Sequence, residues 1–371
     1  MARVSRARAI SDVLLALAAR APFERAAPWD PVGLVLGDPA APARRIAVCH
    51  EVTEAVVAAL EADPVDLLVA YHPLLFHPTQ RLVAGPTPEG RALRLARAGI
   101  ALGVVHTAFD VAPGGTADAL AESLDLREIE GFGPLFGAPS RKLVTFVPSA
   151  AADAVLDAVA AAGAARIGNY THCSFRSEGT GTFFGGEGST PVVGKRGELS
   201  REPEVRLEFL VPPAREAEAI RALLRTHPYE EPAFDVVERR GEARCIGRVG
   251  RLDRAESLAE LADRVAQSLR GPTPRVAGDP ERPVRRVAVL PGSGEDYTQA
   301  ATEAGADVLV TGDLRHHAVR RALDAGLATI DAGHAATERP GVERLLAFVA
   351  AEGLETVSLL ALDSDSPGGE S

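Results

Sequence analysis

The chain has little with which to cross-link itself. Its 371 residues include three cysteines, Cys49, Cys173 and Cys245, set singly with no CxxC pair. That argues against a disulfide framework and a structural zinc site, and fits a reducing cytosol. Aromatic residues make up only 5% of the chain, and this, with abundant alanine, favours helix-rich layers over a β-sandwich. No apolar run approaches the roughly 20 residues needed to span a bilayer. The basic start, Met1 to Ala9, leads into a periodic stretch rather than a uniformly apolar one, which argues against secretion; a cytoplasmic location is expected. A basic excess is missing too. The formal net charge is −11, and a nucleic-acid partner, which demands a basic surface, is disfavoured. With 46% hydrophobic and 25% charged residues, the composition is that of a globular protein of two or three domains.

What is there is a repetition. Arg44-Arg45-Ile46-Ala47-Val48 is echoed by Arg285-Arg286-Val287-Ala288-Val289. Asp66-Leu67-Leu68-Val69 is echoed at the same offset by Asp307-Val308-Leu309-Val310. The next apolar run closes on His106-Thr-Ala-Phe-Asp110 in the first copy and on His334-Ala-Ala-Thr-Glu338 in the second.

Around these repeats the pattern alternates. Ser5 to Ala19 has helical spacing, ended by Pro22 and Pro28. Buried strands are expected at Arg45–Cys49, Asp66–Ala70 and Ile100–Val105, with helices at Glu54–Ala62 and Glu89–Ala98 between them. The C-terminal part repeats the order, with strands at Val287–Leu290, Val308–Thr311 and Ala328–Asp331 and helices at Asp296–Ala304, Ala318–Ala325 and Val342–Ala351. Strand, helix, strand is the pattern of a parallel α/β sheet. The tail from Asp363 has a disordered composition. The middle third differs: Lys142–Pro148 and Val205–Pro212 each lead into a helix, with a hairpin-like Gly/Thr/Phe stretch from Thr171 to Gly188 between them. That is the split βαβ order of an α+β ferredoxin-like domain. The expected organisation is an outer domain of residues 1–136 and 243–371, formed by two similar α/β lobes, and an insert at 137–242. Pro134, Gly137 and Arg239-Arg-Gly-Glu mark the expected crossings.

In open α/β sheets ligands sit beyond the carboxyl ends of strands. His72, His106 with Asp110, Asp313 with His317, and His334 with Glu338 all follow predicted strands. A lone histidine or acid at a strand end is more often a helix cap or a satisfied hydrogen-bonding group. Four such ends with equivalent His-x3-acid pairs favour an N/O metal site instead, suited to zinc, manganese or iron. Pro291-Gly-Ser-Gly-Glu-Asp lacks the lysine of a P-loop, and Gly114-Gly115 reads as a turn. In the insert, His172, Cys173 and His227 read as hairpin and loop contacts rather than a second metal site.

These motifs together resemble the NIF-three-like family, also labelled GTP cyclohydrolase 1 type 2 homolog. Trp29-Asp30-x-x-Gly33-Leu-x-x-Gly37 is similar to its N-terminal signature, Tyr71-His72-Pro73-Leu-Leu-Phe76 to its His-His-Pro motif, and His106-Thr-x-x-Asp110-x-x-Pro113-Gly-Gly to its central one. Thr311-Gly-Asp-x-x-x-His317 and Asp331-Ala-Gly-His334-x-x-Thr-Glu338-Arg resemble the C-terminal pair. The resemblance implies two α/β lobes around a central site for two divalent ions, with His72, Asp110, His334 and Glu338 as ligands. It also implies a homohexameric ring and, for the middle third with His227-Pro-Tyr-Glu-Glu231, a PII/CutA-like insert. Tyr71 departs from the pattern, which has histidine there; a phenol with a pKa near 10 is a poorer ligand than imidazole. One ion held weakly, or a single-ion site, is the open alternative. In the two-ion arrangement Asp110 and Glu338 bridge, His72 and His334 each hold one ion, and His106, Asp313 and His317 orient the ligands.

The function expected is that of a metal-dependent hydrolase acting on a nucleotide or phosphoester through a metal-activated water. The alternative is a non-enzymatic metal-binding or regulatory protein whose insert senses a ligand or mediates assembly. The expected partners are other copies of the chain and a small-molecule or nucleotide ligand, with no membrane.

Overall fold

The computed structural model describes residues 7–136, 140–167, 170–239 and 243–362. The chain divides into two compact units, Met1–Gly137 with Glu242–Ser371, and Ala138–Gly241. Gly137, Arg240, Gly241 and Glu242, expected at the crossings, and the tail from Asp363 lie outside the described residues. Pro134 is no crossing point: it sits within the strand Arg127–Phe136, opposite Cys245. That strand is the last of its sheet, so a residue without N–H is tolerated there.

Besides a two-stranded pairing of Arg8–Ala9 with Pro42–Ala43, the first unit holds two larger sheets built on one plan. One runs Glu355–Ser358, Arg45–Cys49, Leu67–Ala70, Ala101–Val104, Gly33–Leu36, parallel except for the last strand. The other places Pro283–Ser293, Val308–Gly312 and Ala328–Asp331 in parallel at its centre. Antiparallel strands Ala243–Ser257 and Arg127–Phe136 extend it on one side and Arg275–Ala277 on the other. The repeated Arg-Arg and Asp have one structural job. Asp66 Oδ2 accepts from Arg44 N at 2.7 Å and Arg45 N at 2.9 Å; Asp307 Oδ2 accepts from Arg285 N at 2.9 Å and Arg286 N at 2.8 Å. Each carboxylate ties the amino end of one central strand to the start of its neighbour, pinning the register of both.

Both faces of each sheet are covered, as the apolar strands require. On the first sheet, Ile46, Val48, Leu67 and Val69 face Val13, Leu14, Leu345 and Val349. Ala47, Cys49, Leu68 and Ala70 face Val56, Leu60 and Leu95 on the other side. In the second sheet Val287, Val289, Val308 and Val310 pack on Leu120, Leu258, Leu261 and Val265. The helix Leu258–Leu269 begins with a capping box of Ser257 and Glu260, which satisfies two otherwise orphan donors.

The spacing places a helix at Val342–Ala351, whereas the helix runs from His334 to Ala350 with Pro340 inside it. A proline there forfeits one backbone bond. Packing of Thr337, Glu338, Val342, Leu345 and Val349, all buried, outweighs that loss. The first helix starts at Ile10, and Ser5, where the helical spacing begins, lies outside the described residues. The periodicity also passed over the helix Thr116–Ser123.

The second unit is a four-stranded antiparallel sheet in the order Phe234–Arg239, Ser140–Val147, Leu199–Val211, Ser174–Phe184. The helices Ala152–Ala161 and Glu216–Thr226 pack on it through Val155, Val159, Ala219 and Leu223. This is the split βαβ arrangement. Its hairpin is wider than Thr171–Gly188: Ser174–Phe184 pairs with Leu199–Val211 across a loop, because the glycines and prolines that follow Phe184 cannot continue a strand.

A tight crossing joins the halves of the first unit. A Cβ added at Gly341 would fall 2.6 Å from Thr116 Cα and 2.5 Å from its Cγ2. Gly341→Ala is therefore expected to destabilise the fold by about 1–3 kcal/mol through overpacking. Urea unfolding would show a lower midpoint at unchanged slope; an unmoved midpoint would contradict this crossing.

Candidate metal centre

The two His-x3-acid pairs share a local geometry. His106–Asp110 is a single helical turn and His334 opens a long helix. Four residues apart on a helix is one face, so each turn aims an imidazole and a carboxylate the same way.

Glu338 is the hub. It is 3% exposed, and its Oε2 lies 2.7 Å from His50 Nε2 and 3.0 Å from His72 Nε2. Its Oε1 lies 3.1 Å from His334 Nε2. On the far side of the ring, His334 Nδ1 lies 2.7 Å from Asp313 Oδ2, a contact that orients the imidazole and holds Nε2 toward the carboxylate. Nitrogens of His50 and His72 and an oxygen of Glu338 lie within 4.8 Å of one another, a grouping that could hold a metal ion. Space is kept open beside it by Gly292 (φ +65°): a Cβ there would fall 2.6 Å from Glu338 Oε1 and 3.3 Å from His334 Nε2. Gly292 N donates to Thr337 Oγ1 at 2.9 Å, fixing that approach. Three imidazole nitrogens directed at one buried carboxylate, with room beside it, are a donor set that fits a divalent ion.

A second cluster adjoins it. Tyr71, fully buried, donates its hydroxyl to Asp110 Oδ1 at 2.5 Å. His106 Nδ1 lies 3.0 Å from Asp30 Oδ1, an ion-pair distance, although neither atom meets hydrogen-bond geometry. The other oxygen of Asp30 accepts from Thr107 N at 3.0 Å and from its hydroxyl. His106 takes the turn at φ +27°, a conformation costly for a non-glycine residue and one that clusters at functional sites. Asp331 does in the second half what Asp30 does in the first: it accepts from Leu314 N at 3.0 Å and Gly333 N at 3.1 Å, joining the loops that carry Asp313 and His334.

The charges follow from this packing. Burial alone would push the Glu338 carboxyl up, but its contacts with His334, His50 and His72 together hold it well below the usual range. Burial works against the His334 cation; Glu338 and Asp313 outweigh it and raise the imidazole to about 10. Burial prevails at His72, which is lowered. It also prevails at Asp110, raised to about 6, and at Tyr71, whose phenol is held neutral. His106 is raised, its burial offset by Asp30, Asp110 and Glu338.

Of the residues the sequence pointed to, His72, His334 and Glu338 meet, with Asp313 behind His334. Asp110, Tyr71 and His106 form the adjoining cluster, and His106 and His72 have ring centroids 5.0 Å apart. His317 is exposed at the start of His316–Asp324, its ring against His316. Sequence reasoning missed His50. The signal was available, because His50 directly follows the strand Arg45–Cys49 just as His72 follows a predicted strand. It also passed over Gly292, which was weighed only as part of a failed phosphate loop.

The comparisons with known proteins agree with this architecture. The sequence profile of Duf34/NIF3 (NGG1p interacting factor 3) matches residues 8–366. A Mycobacterium leprae protein named "GTP cyclohydrolase 1 type 2 homolog" is 40% identical over 341 residues, covering 89% of this chain and 87% of its own. A protein of the same name from Halalkalibacterium halodurans is 37% identical over 321 residues, 84% of this chain and 86% of its own. Among solved structures, the Bacillus cereus protein related to NIF3 superposes with a TM-score of 0.65 at 34% identity, covering 99% of this chain and all of that one. Matched by that profile over residues 8–366, the chain belongs to the Duf34/NIF3 family.

Proposed function

We propose that the chain is a metal-dependent hydrolase acting on a nucleotide or phosphoester, with its divalent ions gathered around Glu338. The observation that carries the reading is the convergence of His50, His72 and His334 on that one buried carboxylate. The ions would be held by those side chains, with Asp110 of the adjoining cluster next to them; zinc, iron and manganese all suit the nitrogen and oxygen donors. A divalent ion bound there supplies a water of lowered pKa and a charge that clamps a phosphate or carbonyl oxygen.

The chain's own residues supply the rest. His106, whose acidic neighbours outweigh its burial and raise it, stands beside His72 as the candidate proton donor to a leaving oxygen. Trp29, 61% exposed, and Phe76, 44% exposed, stand edge-on to His106 with ring centroids 6.0 and 5.9 Å away. Two exposed aromatic rings beside a metal centre suit a planar base, which favours a nucleotide. The relatives' name points the same way. Assembly into a hexameric ring and a PII/CutA-like role for the second unit belong to this reading as proposals. A cavity of about 960 Å³ in the second unit, between the hairpin and the loop bearing Tyr229 and Glu230, favours the alternative of a ligand-sensing protein.

Three outcomes test the reading. Purified protein loaded with zinc or manganese is expected to hydrolyse members of a nucleotide and phosphoester panel, with Glu338→Ala folded but inactive and metal-poor. Stoichiometric metal without turnover across the panel would leave the sensing alternative in its place. Asp313→Ala, which removes the partner of His334 Nδ1, is expected to weaken metal binding by about 10–100-fold; unchanged affinity by competition with a chelator would contradict that role. The third concerns protons. In the metal-free protein His334 keeps its proton until pH rises toward about 10, whereas His72 is lowered and already neutral at pH 7 to 8. An ion that takes His334 must displace that proton, so affinity should rise with pH toward 10. Calorimetry at pH 7.5 in buffers of different ionisation enthalpy should find about one proton released per chain. No release would mean that His334 is no ligand.

A further inference from the structure

His50 and Tyr71 stand side by side at the ends of neighbouring strands. Arg45–Cys49 and Leu67–Ala70 run parallel, with Cys49 opposite Ala70. The ladder continues one step beyond them: Tyr71 N donates to Cys49 O at 3.0 Å and His72 N to His50 O at 2.9 Å. The rings of His50 and Tyr71 are 5.4 Å apart, centroid to centroid. Their polar atoms go different ways. His50 Nε2 reaches Glu338 Oε2, and its ring meets that of His72 edge-on at 4.9 Å. The Tyr71 hydroxyl is spent on Asp110 in a fully buried position.

From this juxtaposition we infer that His50 and Tyr71 have exchanged duties: His50 provides the imidazole that the family motif carries at position 71, and Tyr71 ligates nothing. The inference rests on the metal-centre reading above. With His50 restored to the count, the Oε2 side of Glu338 has two imidazoles and one carboxylate oxygen, three protein ligands with a position left for water. A neutral phenol that donates its proton to a carboxylate has only a weak lone pair to offer a divalent ion. The two residues compensate each other. Tyrosine at 71 alone removes a ligand, and His50 beside a histidine at 71 would crowd a fourth imidazole onto Glu338.

The test is a reciprocal exchange read by metal binding rather than turnover. Cobalt(II) is the probe, and bound cobalt per chain and its visible absorption are measured on wild type, His50→Leu, Tyr71→Phe, Glu338→Ala and the double variant His50→Leu with Tyr71→His. Circular dichroism confirms the fold of each. Tyr71→Phe is expected to keep cobalt, weakened by no more than the about 10–100-fold that loss of Asp110's hydrogen-bond partner can cost. His50→Leu should lose at least the about 100-fold that loss of an outer partner can cost, and the double variant should regain wild-type affinity. Should His50→Leu fail to fold, the ring protons of cobalt-loaded wild type serve instead, since a ligating His50 must show a paramagnetically shifted resonance. Cobalt bound normally by His50→Leu, or lost in Tyr71→Phe, or not regained in the double variant, overturns the exchange while leaving the metal centre standing. Cobalt absent from wild type, or retained by Glu338→Ala, overturns the metal-centre reading and the exchange with it.

Discussion

A carboxylate removed from water must be met by positive charge, by hydrogen bonds or by a metal ion, and most of this unit is arranged around meeting one. Glu338 is buried to 3% exposure, a placement that would cost several kcal/mol were it unpaired. Two of its imidazoles arrive from the first half, from the ends of adjacent strands, and one from its own helix a turn earlier. Removing any of them leaves a buried charge short of a partner. The glycine at 292, the strained turn at His106 and the aspartates that tie the neighbouring loops all serve to hold those groups in place.

The duplication makes this economical. Each half repeats a central strand pair pinned by an aspartate to two arginine backbone amides, so the carboxyl ends of the strands in each half end in register. Each half also ends a strand on a helical turn with histidine and acid four residues apart. The helix His334–Ala350 joins them, since its apolar face packs on the first sheet while Glu338, one turn in from its start, is the acid that the first half's histidines face. Fold and site are thus coupled: what seats the helix also positions Glu338.

Much of this was legible along the chain. The repeats located the strands, the equivalent His-x3-acid pairs marked the site, and the motifs pointed to the family. The boundaries that slipped did so for local reasons. The spacing opens the last helix only at Val342, beyond Pro340, but buried Val342, Leu345 and Val349 carry the helix through that proline. Pro134 reads as a crossing, but a strand at the edge of its sheet accepts it. The antiparallel strands Arg127–Phe136 and Ala243–Ser257 escaped notice because edge and near-edge strands lack the continuous apolar run of buried parallel ones.

The sequence by itself determined the α/β layering, the doubling of the lobes and the supply of imidazoles and acids at strand ends, because these rest on periodicity and on short spacings. Which of those side chains share a partner was decided only by the tertiary structure. His50 and Glu338 are separated by 288 residues, and no local rule brings them to 2.7 Å. Nor does any local rule send the Tyr71 hydroxyl to Asp110. Those contacts depend on how two sheets and the helix between them pack, which is a property of the whole core.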